Sequence, residues 1–272
     1  MKRALLTLAL LAAPSLASAQ RCSRGRAGTP MPVGLTIGAA DFGNTPSPCA
    51  DLRIALDLRA TALIDTPDFY GMISGETVLS ANLPVAGRFW LSGAWSFLRL
   101  GFVQNATLIA NELAVGAATV GGHVGLIARD NLRVAAYLRV LLPTDSDAHF
   151  SARTGLEPGL TALWRPHRRV SLLGGFSVPV VFSVLGGRGD ALSTARASVD
   201  VSVLIGTWFE PSLGVELRVG NDPNGALEYV APRLALRAHL GRGVGIHLSA
   251  MAPLGGVERV NARAALGVWV GW

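Results

Sequence analysis

Long hydrophobic runs, lysine and charge in general are scarce in this sequence of 272 residues. After the first 20 residues there is no uninterrupted run of about 18 apolar residues, so no transmembrane helix is expected. Charged residues make up 15% of the chain and apolar residues 50%, an unusual balance for a soluble protein. Two classes remain: a membrane β-barrel and a very apolar β-sandwich that is secreted in soluble form.

The N-terminus has the features of a secretory signal peptide over residues 1–19. Lys2 and Arg3 precede an apolar stretch at 4–13, and small residues at 17–19 precede the predicted cleavage site. The predicted mature chain therefore begins at Gln20. Lipoprotein processing at Cys22 is the alternative, although Gln20 and Arg21 stand where that processing requires small residues.

Basic residues are almost all arginine, because Lys2 is the one lysine among 24 basic residues. The net charge of +6 is compatible with a nucleic-acid partner. The export signal and the absence of clustered basic runs argue against that partner.

Cysteine occurs only at Cys22 and Cys49. Because export leads to an oxidising compartment, we expect a disulfide between them, worth roughly 3 kcal/mol; two unpaired thiols are the alternative. Residues 20–51 also contain several prolines and glycines and are expected to be irregular. This segment lies either in the periplasm or in the mouth of a barrel, as a plug.

From Leu52 onward, apolar and polar residues alternate over strand-length stretches. Between residues 132 and 140, for example, apolar side chains alternate with Arg133, Tyr137 and Arg139. A period of two indicates strands with one apolar and one polar face. Stretch 168–181 is apolar on both faces, so it contacts either the N-terminal segment or a neighbouring subunit. About twelve strands are predicted, at 52–64, 76–84, 88–100, 112–128, 131–142, 152–165, 168–181, 194–208, 212–220, 227–240, 243–253 and 258–272.

The predicted connections alternate between tight turns and longer segments. Tight turns are expected near 85–87, 129–130, 166–167, 209–211 and 241–242, and longer connections near 65–75, 101–111, 143–151, 182–193 and 221–226. Short turns on one side and an even strand number are typical of transmembrane barrels. The sequence therefore predicts an all-β fold, an antiparallel up-and-down transmembrane β-barrel over residues 52–272.

Aromatic residues accompany the tight turns on the apolar face, as an interfacial belt requires. Phe89, Trp164, Phe209 and Trp272 belong to this group, and Phe97 and Phe182 are candidates for a belt at the opposite end.

Arginines in the predicted strands fall on the polar face, with Arg99 as the exception, expected to point outward near a strand end. An arginine that faces lipid at mid-depth costs roughly 2–4 kcal/mol, so the polar face is the barrel interior. The twelve arginines predicted to line the lumen and face anions are Arg53, Arg59, Arg88, Arg133, Arg139, Arg153, Arg196, Arg218, Arg233, Arg237, Arg259 and Arg263.

The C-terminal residues 267–272 read Gly-Val-Trp-Val-Gly-Trp. Gly267, Val270 and the terminal aromatic Trp272 resemble the assembly signal of bacterial outer-membrane β-barrel (porin-like) proteins. The resemblance covers the last strand and names no subfamily. It implies recognition by the barrel-assembly machinery and insertion into the outer membrane, among lipid and lipopolysaccharide.

Inward arginines outnumber the predicted inward acids, which are Asp57, Glu76, Glu157, Asp200 and Glu216. Charged rings set the selectivity of pores, so we expect a porin-like barrel that passes or binds small anionic solutes. A plugged structural barrel is the alternative, and a lipid-modifying hydrolase is a weaker one. His239 and His247 face inward with no acid predicted beside them, and no metal or cofactor is expected.

Overall fold

The computed structural model describes residues 45–65, 70–104, 109–144, 153–183, 191–222, 225–241, 243–254 and 260–271. None of these residues belongs to a helix that is long and apolar enough to cross a membrane. They form strand segments in one sheet. The segments are β1 (Arg53–Asp65), β2 (Tyr70–Ala86), β3 (Phe89–Gln104), β4 (Ile109–Ala114), β5 (Ala118–Ala128), β6 (Leu132–Leu142), β7 (Arg153–His167), β8 (Val170–Ser177), β9 (Val180–Ser183), β10 (Ala191–Val203), β11 (Phe209–Asp222), β12 (Gly225–His239), β13 (Val244–Met251) and β14 (Val260–Gly271).

The sheet closes on itself as an antiparallel barrel. Consecutive strands pair as hairpins, and β1 pairs with β14, with Arg53 opposite Gly271. Segments β4 and β5 both pair with β3, while β8 and β9 both lie between β7 and β10. In each case the two segments form one interrupted barrel strand, so the barrel has twelve strands. The predicted fold class is confirmed.

Both interruptions keep the ladder hydrogen bonds around them. Between β4 and β5, the Gly116 amide donates to the Ser96 carbonyl at 2.7 Å. A Cβ at position 116 would lie 2.6 Å from Ser96 Oγ, which explains the glycine. Between β8 and β9, Pro179 has no N–H to donate, but its carbonyl accepts from the Thr194 amide at 3.1 Å.

Alternation between the two faces follows the predicted pattern. In β13 every second residue is buried, and the remaining ones are exposed. The outward residues are mostly large and apolar; Leu58, Leu213 and Leu266, for instance, are each more than half exposed. The inward residues are mostly polar and buried. This is the reverse of a soluble barrel and is typical of a barrel whose outside faces lipid.

Tight turns at 87–88, 129–131, 168–169, 204–208 and 240–243 lie at the end of the barrel where β1 begins and β14 ends. We call this the tight-turn end. Phe89 and Trp164 are exposed there, as predicted, and Phe97 and Phe182 are exposed nearer the opposite end. Trp272 lies outside the described residues.

Three connections were predicted to be long, and these predictions are wrong because the strands extend further than expected. The hairpin ladders continue past the predicted strand ends, so β1 and β2 are separated only by 66–69, β3 and β4 by 105–108, and β11 and β12 by 223–224. The connections over 143–152 and 184–190 are longer, as expected.

Arg99 points into the barrel, so its predicted outward placement is wrong. Thr77 pairs with Leu98 and Val78 pairs with Ser96, which leaves Phe97 as an extra residue in β3. A β-bulge of this kind shifts the alternation by one residue. Arg99 is consequently buried and lies 3.6 Å from Glu76.

Candidate functional site

The barrel interior contains most of the arginines that were predicted to line it. Arg133 is half-buried, whereas Arg88 lies exposed in the turn between β2 and β3. Arg153 is the first residue of β7, and Arg259 lies outside the described residues. The buried members are Arg53, Arg59, Arg139, Arg196, Arg218, Arg233, Arg237 and Arg263.

Ion pairs link nearby strands along the inner wall from β6 to β12. Glu157 Oε2 accepts a hydrogen bond from Arg139 Nε at 2.6 Å, and Glu157 Oε1 lies 3.8 Å from Arg196 Nη1. Glu216 Oε2 lies 3.2 Å from Arg233 Nη1, and Glu216 Oε1 lies 3.6 Å from Arg218 Nη2. Both carboxylates have no exposed surface, and buried charges persist only when they are paired in this way.

The Arg233 guanidinium also contacts the Asp200 carboxylate on β10. Arg196 lies 4.0 Å from Glu216 as well as near Glu157, so its guanidinium connects the two acids. We call this set of contacts the ion-pair network.

Glu210 is an interior acid that the sequence reasoning missed. It is buried on β11, where Arg237 Nη1 donates to it at 2.9 Å and His239 Nε2 lies at 3.0 Å. Residues 209–211 were predicted as a tight turn. In the structure β11 begins at Phe209, with Pro211 inside it.

His247 lies 3.2 Å from Asp57, an acid that also lies 3.9 Å from Arg59. The expectation that no carboxylate lies beside His239 and His247 is therefore wrong, because Glu210 and Asp57 occupy these places. In the described part of the chain, no group of three or more His, Cys, Asp and Glu side chains is placed to hold a metal ion.

Gly267 of the C-terminal motif allows Asp57 and His247 to approach each other. A Cβ at this position would lie 2.1 Å from Asp57 Oδ1 and 2.5 Å from His247 Cε1. Val270 is on the exposed face of β14. The role of the motif in assembly stays a prediction.

Residues 45–51 run inside the barrel, and we call them the internal segment. Thr161 Oγ1 donates to the Pro46 carbonyl at 2.8 Å, and the Thr45 hydroxyl hydrogen-bonds Ser198 at the same distance. Asn82 Nδ2 donates to the carbonyls of Cys49 and Asp51 at 3.1 and 2.9 Å.

Apolar contacts also hold the internal segment. Cys49 packs with Leu163 and Leu173, and Ala50 packs with Trp90 and Ala135. Leu173 belongs to stretch 168–181, which is apolar on both faces because its inner face contacts this segment. Cys49 is disulfide-bonded; its predicted partner, Cys22, lies outside the described residues, so the pairing stays a prediction.

Two cavities lie on the opposite side of the interior, against β1–β5. The lower cavity, nearer the tight-turn end, has a volume of about 100 Å³ and is bounded by the internal segment, by β1–β3 and β5, and by His247 and Trp269. The upper cavity has a volume of about 30 Å³. Ala94, Thr119 and Arg139 line both cavities, so the two are adjacent.

The two cavities differ in the charged side chains that line them. Among the described residues that line the upper cavity, Arg59, Arg99 and Arg139 face a single carboxylate, Glu76. Around the lower cavity the charges balance, with Arg53 and Arg139 against Asp51 and Asp57. The upper cavity is therefore the more electropositive part of the interior on this side.

Two histidines of the lower cavity are stacked on inward tryptophans. His123 lies parallel to Trp90 with ring centroids 5.2 Å apart, and His247 stacks on Trp269 at 5.9 Å. Ser92 Oγ lies 2.7 Å from His123 Nε2. The two residues lie on adjacent strands, β3 and β5.

No protein-family model matches the chain, and no curated protein matches it. The chain is similar to an outer-membrane channel from Pseudomonas putida F1, with a TM-score of 0.66 and 10% identity over 87% of this chain and all of that one. It is similar to the translocator domain of the autotransporter NalP from Neisseria meningitidis (TM-score 0.54, 10% identity, 85% of this chain and 90% of that one).

A third similar structure is the KdgM porin in complex with disordered oligogalacturonate (TM-score 0.50, 10% identity, 80% of this chain and 99% of that one). These likenesses show the fold: it is that of bacterial outer-membrane β-barrels, a class that includes channels, porins and autotransporter domains.

Proposed function

We propose that the protein is a passive outer-membrane channel, porin-like in mechanism, that favours small anions. The observation that carries this proposal is the upper cavity, whose described lining contains three arginines and one carboxylate. Two of these arginines also have partners outside the lining, Arg139 with Glu157 and Arg59 with Asp57. Because this cavity adjoins the lower one, the two mark a candidate route for a solute along the β1–β5 wall, beside the internal segment. Rings of arginine attract anions and repel cations in such a constriction.

The outer face supports the membrane location. Exposed apolar residues such as Leu56, Val201 and Leu248 occur on strands all around the barrel, a surface suited to lipid and lipopolysaccharide. Export through the predicted signal peptide, at residues 1–19, and insertion by the barrel-assembly machinery are part of the same proposal.

A chemical parallel supports the choice of anions. Oligogalacturonate, the ligand in the KdgM complex, is a chain of acidic sugars. At 10% identity this parallel transfers no binding residue to the present chain, so the electropositive cavity remains the basis of the proposal.

Planar-bilayer recording of the purified protein tests the proposal. In a KCl gradient, the reversal potential is expected to report chloride preference. Replacing Arg99 with glutamine is expected to lower that preference, because Arg99 lines the upper cavity beside Glu76. Arg129→Gln is the matched control, because Arg129 is exposed in a tight turn. Equal chloride preference in Arg99→Gln and the wild type would contradict the proposal.

A plugged structural barrel is the second candidate, favoured by the ion-pair network and the internal segment, which together fill the β6–β12 side. The small volumes of the cavities, about 100 and 30 Å³, favour it too. This candidate predicts no channel activity at all in the bilayer, whereas a passive channel gives steady, ohmic conductance.

We propose that the protein is not an enzyme. Ser92 and His123 form a pair of the kind that hydrolases use, but a catalytic histidine also needs a group that orients its second nitrogen. No hydrogen-bond partner of His123 Nδ1 is present among the described residues. Release of fatty acids from mixed micelles, abolished by Ser92→Ala, would contradict this proposal.

A further inference from the structure

The turn between β7 and β8 presents exposed cations at the tight-turn end. Arg168 and Arg169 form this two-residue turn, and both are exposed, as is His167 at the end of β7. Among the described residues, neither guanidinium has an ion-pair partner. We call His167, Arg168 and Arg169 the basic turn.

His167 holds the backbone of the basic turn through its side chain. Its Nδ1 accepts a hydrogen bond from the Arg169 amide at 3.2 Å. A neutral imidazole that accepts at one nitrogen carries its proton on the other, so Nε2–H is left as a donor. The basic turn therefore offers two guanidinium groups and one imidazole N–H. Arg165 does not belong to it, because the Nη2 atom of Arg165 is buried.

Exposed indole rings lie next to the basic turn. Trp164 is 47% exposed on β7, and Trp208 is 58% exposed in the turn between β10 and β11. The two turns are adjacent, because the Leu204 amide donates to the Arg169 carbonyl at 2.7 Å. Indole rings at the ends of membrane-spanning strands are typical of the level of the lipid headgroups. The basic turn is therefore placed where a headgroup meets the protein.

The two adjacent turns contain no acid. Residues 164–169 read Trp-Arg-Pro-His-Arg-Arg, and residues 204–209 read Leu-Ile-Gly-Thr-Trp-Phe. Glu210, the next residue, is buried and accepts from Arg237. Guanidinium groups bind phosphate oxygens through charge-assisted hydrogen bonds, whereas the ammonium group of a zwitterionic headgroup needs a carboxylate. This surface thus favours a headgroup whose net charge is negative.

We propose that the basic turn binds the phosphate of an anionic glycerophospholipid, phosphatidylglycerol in kind, with the acyl chains against Trp164. Short turns of outer-membrane barrels lie on the periplasmic side, where the leaflet consists of glycerophospholipid. The proposal goes beyond the anion channel, because it concerns the lipid around the barrel and not a solute inside it.

Quenching of tryptophan fluorescence by brominated lipid tests the proposal. The protein is reconstituted in phosphatidylcholine vesicles in which a fixed fraction of the lipid has brominated acyl chains, as phosphatidylglycerol or as phosphatidylcholine. Bromine quenches the tryptophans that it contacts, so a lipid that is enriched beside Trp164 and Trp208 quenches more. We expect an association constant about fivefold higher for phosphatidylglycerol at low salt, the order that a cationic side chain contributes near anionic lipid. Equal quenching by the two lipids would overturn the proposal.

The double variant Arg168→Gln with Arg169→Gln is expected to abolish the fivefold preference, and each single variant is expected to lose part of it. Arg129→Gln is the matched control, because Arg129 is exposed in the neighbouring tight turn but is followed by the exposed Asp130. This control is expected to keep the preference. Heat-modifiable mobility on a denaturing gel verifies that each variant is folded. The same loss in Arg129→Gln as in Arg168→Gln would mean diffuse attraction to the whole tight-turn end, and it would overturn a site at the basic turn.

Replacing the two neighbouring indoles locates the bound lipid. Trp164→Phe with Trp208→Phe is expected to remove most of the excess quenching by phosphatidylglycerol, because Trp90 and Trp269 are buried in the interior. Excess quenching that survives in this variant would place the lipid elsewhere and overturn the proposal.

Bilayer conductance separates this proposal from the proposed function. A preference for phosphatidylglycerol in a protein without channel activity would reject the channel and retain the lipid site. Chloride-preferring conductance without a lipid preference would retain the channel and reject the lipid site.

Discussion

The two sides of the barrel interior use the same residue types in opposite ways. Between β6 and β12, Glu157 and Glu216 have no exposed surface and each contacts at least two arginines. Along β1–β5, the ion pairs are less interconnected, as with Arg99 and Glu76 at 3.6 Å, and cavities lie beside them. Arginine is thus a structural residue on one side and a candidate selectivity residue on the other, and Arg139, which is paired with Glu157 and lines both cavities, lies where the two sides meet.

Glutamine in place of Glu216 is expected to give the largest effect, a loss of about 3–5 kcal/mol in the free energy of unfolding. The reason is that Arg233, Arg218 and Arg196 would lose a shared buried partner. Urea titration of heat-modifiable mobility measures the loss.

Glu76→Gln is the control on the cavity side. Its carboxylate is 14% exposed, and its ion-pair partner among the described residues is Arg99, so a change of about 0–1 kcal/mol is expected. Similar losses in both variants would show that the two sides do not differ.

The sequence was sufficient to predict the strand number, the polar face and the tight-turn end, because alternation and turn residues are local signals. It failed at Arg99 because the bulge at Phe97 is set by pairing with β2. It also failed at Glu210, which lies in the predicted tight turn at 209–211, although pairing with β12 keeps this residue in β11.

The pairing of arginines with acids could not be predicted either. Arg196 and Glu157 are 39 positions apart in the sequence and meet at 3.8 Å on the inner face of the sheet, with the β8–β9 strand between β7 and β10. The internal segment has no periodicity at all, and its place inside the barrel follows from contacts with distant residues such as Thr161 and Ser198.

Removing two anchors of the internal segment is expected to give an intermediate effect. Thr161→Val and Ser198→Ala together delete the hydrogen bonds to Pro46 and Thr45, worth about 1–3 kcal/mol in total. The segment would then leave the lumen more often, and events of larger conductance are expected in single-channel records.

Thr154→Val is the control for these anchors, because Thr154 Oγ1 donates to the Leu141 carbonyl and not to the segment. Unchanged event sizes in the double variant would indicate that the segment does not limit the passage.

Ionic strength should distinguish the two sides without any substitution, and it gives the smallest expected effect. Screening shortens from about 10 Å in 0.1 M salt to about 3 Å in 1 M salt. The arginines of the upper cavity attract anions through accessible space, so chloride preference should fall as salt rises. The ion-pair network is buried and in direct contact, so the unfolding midpoint of the wild type should depend only weakly on salt over the same range. A chloride preference that is independent of salt would mean that charge at the constriction does not select the ion, and the functional contrast between the two sides would then be lost.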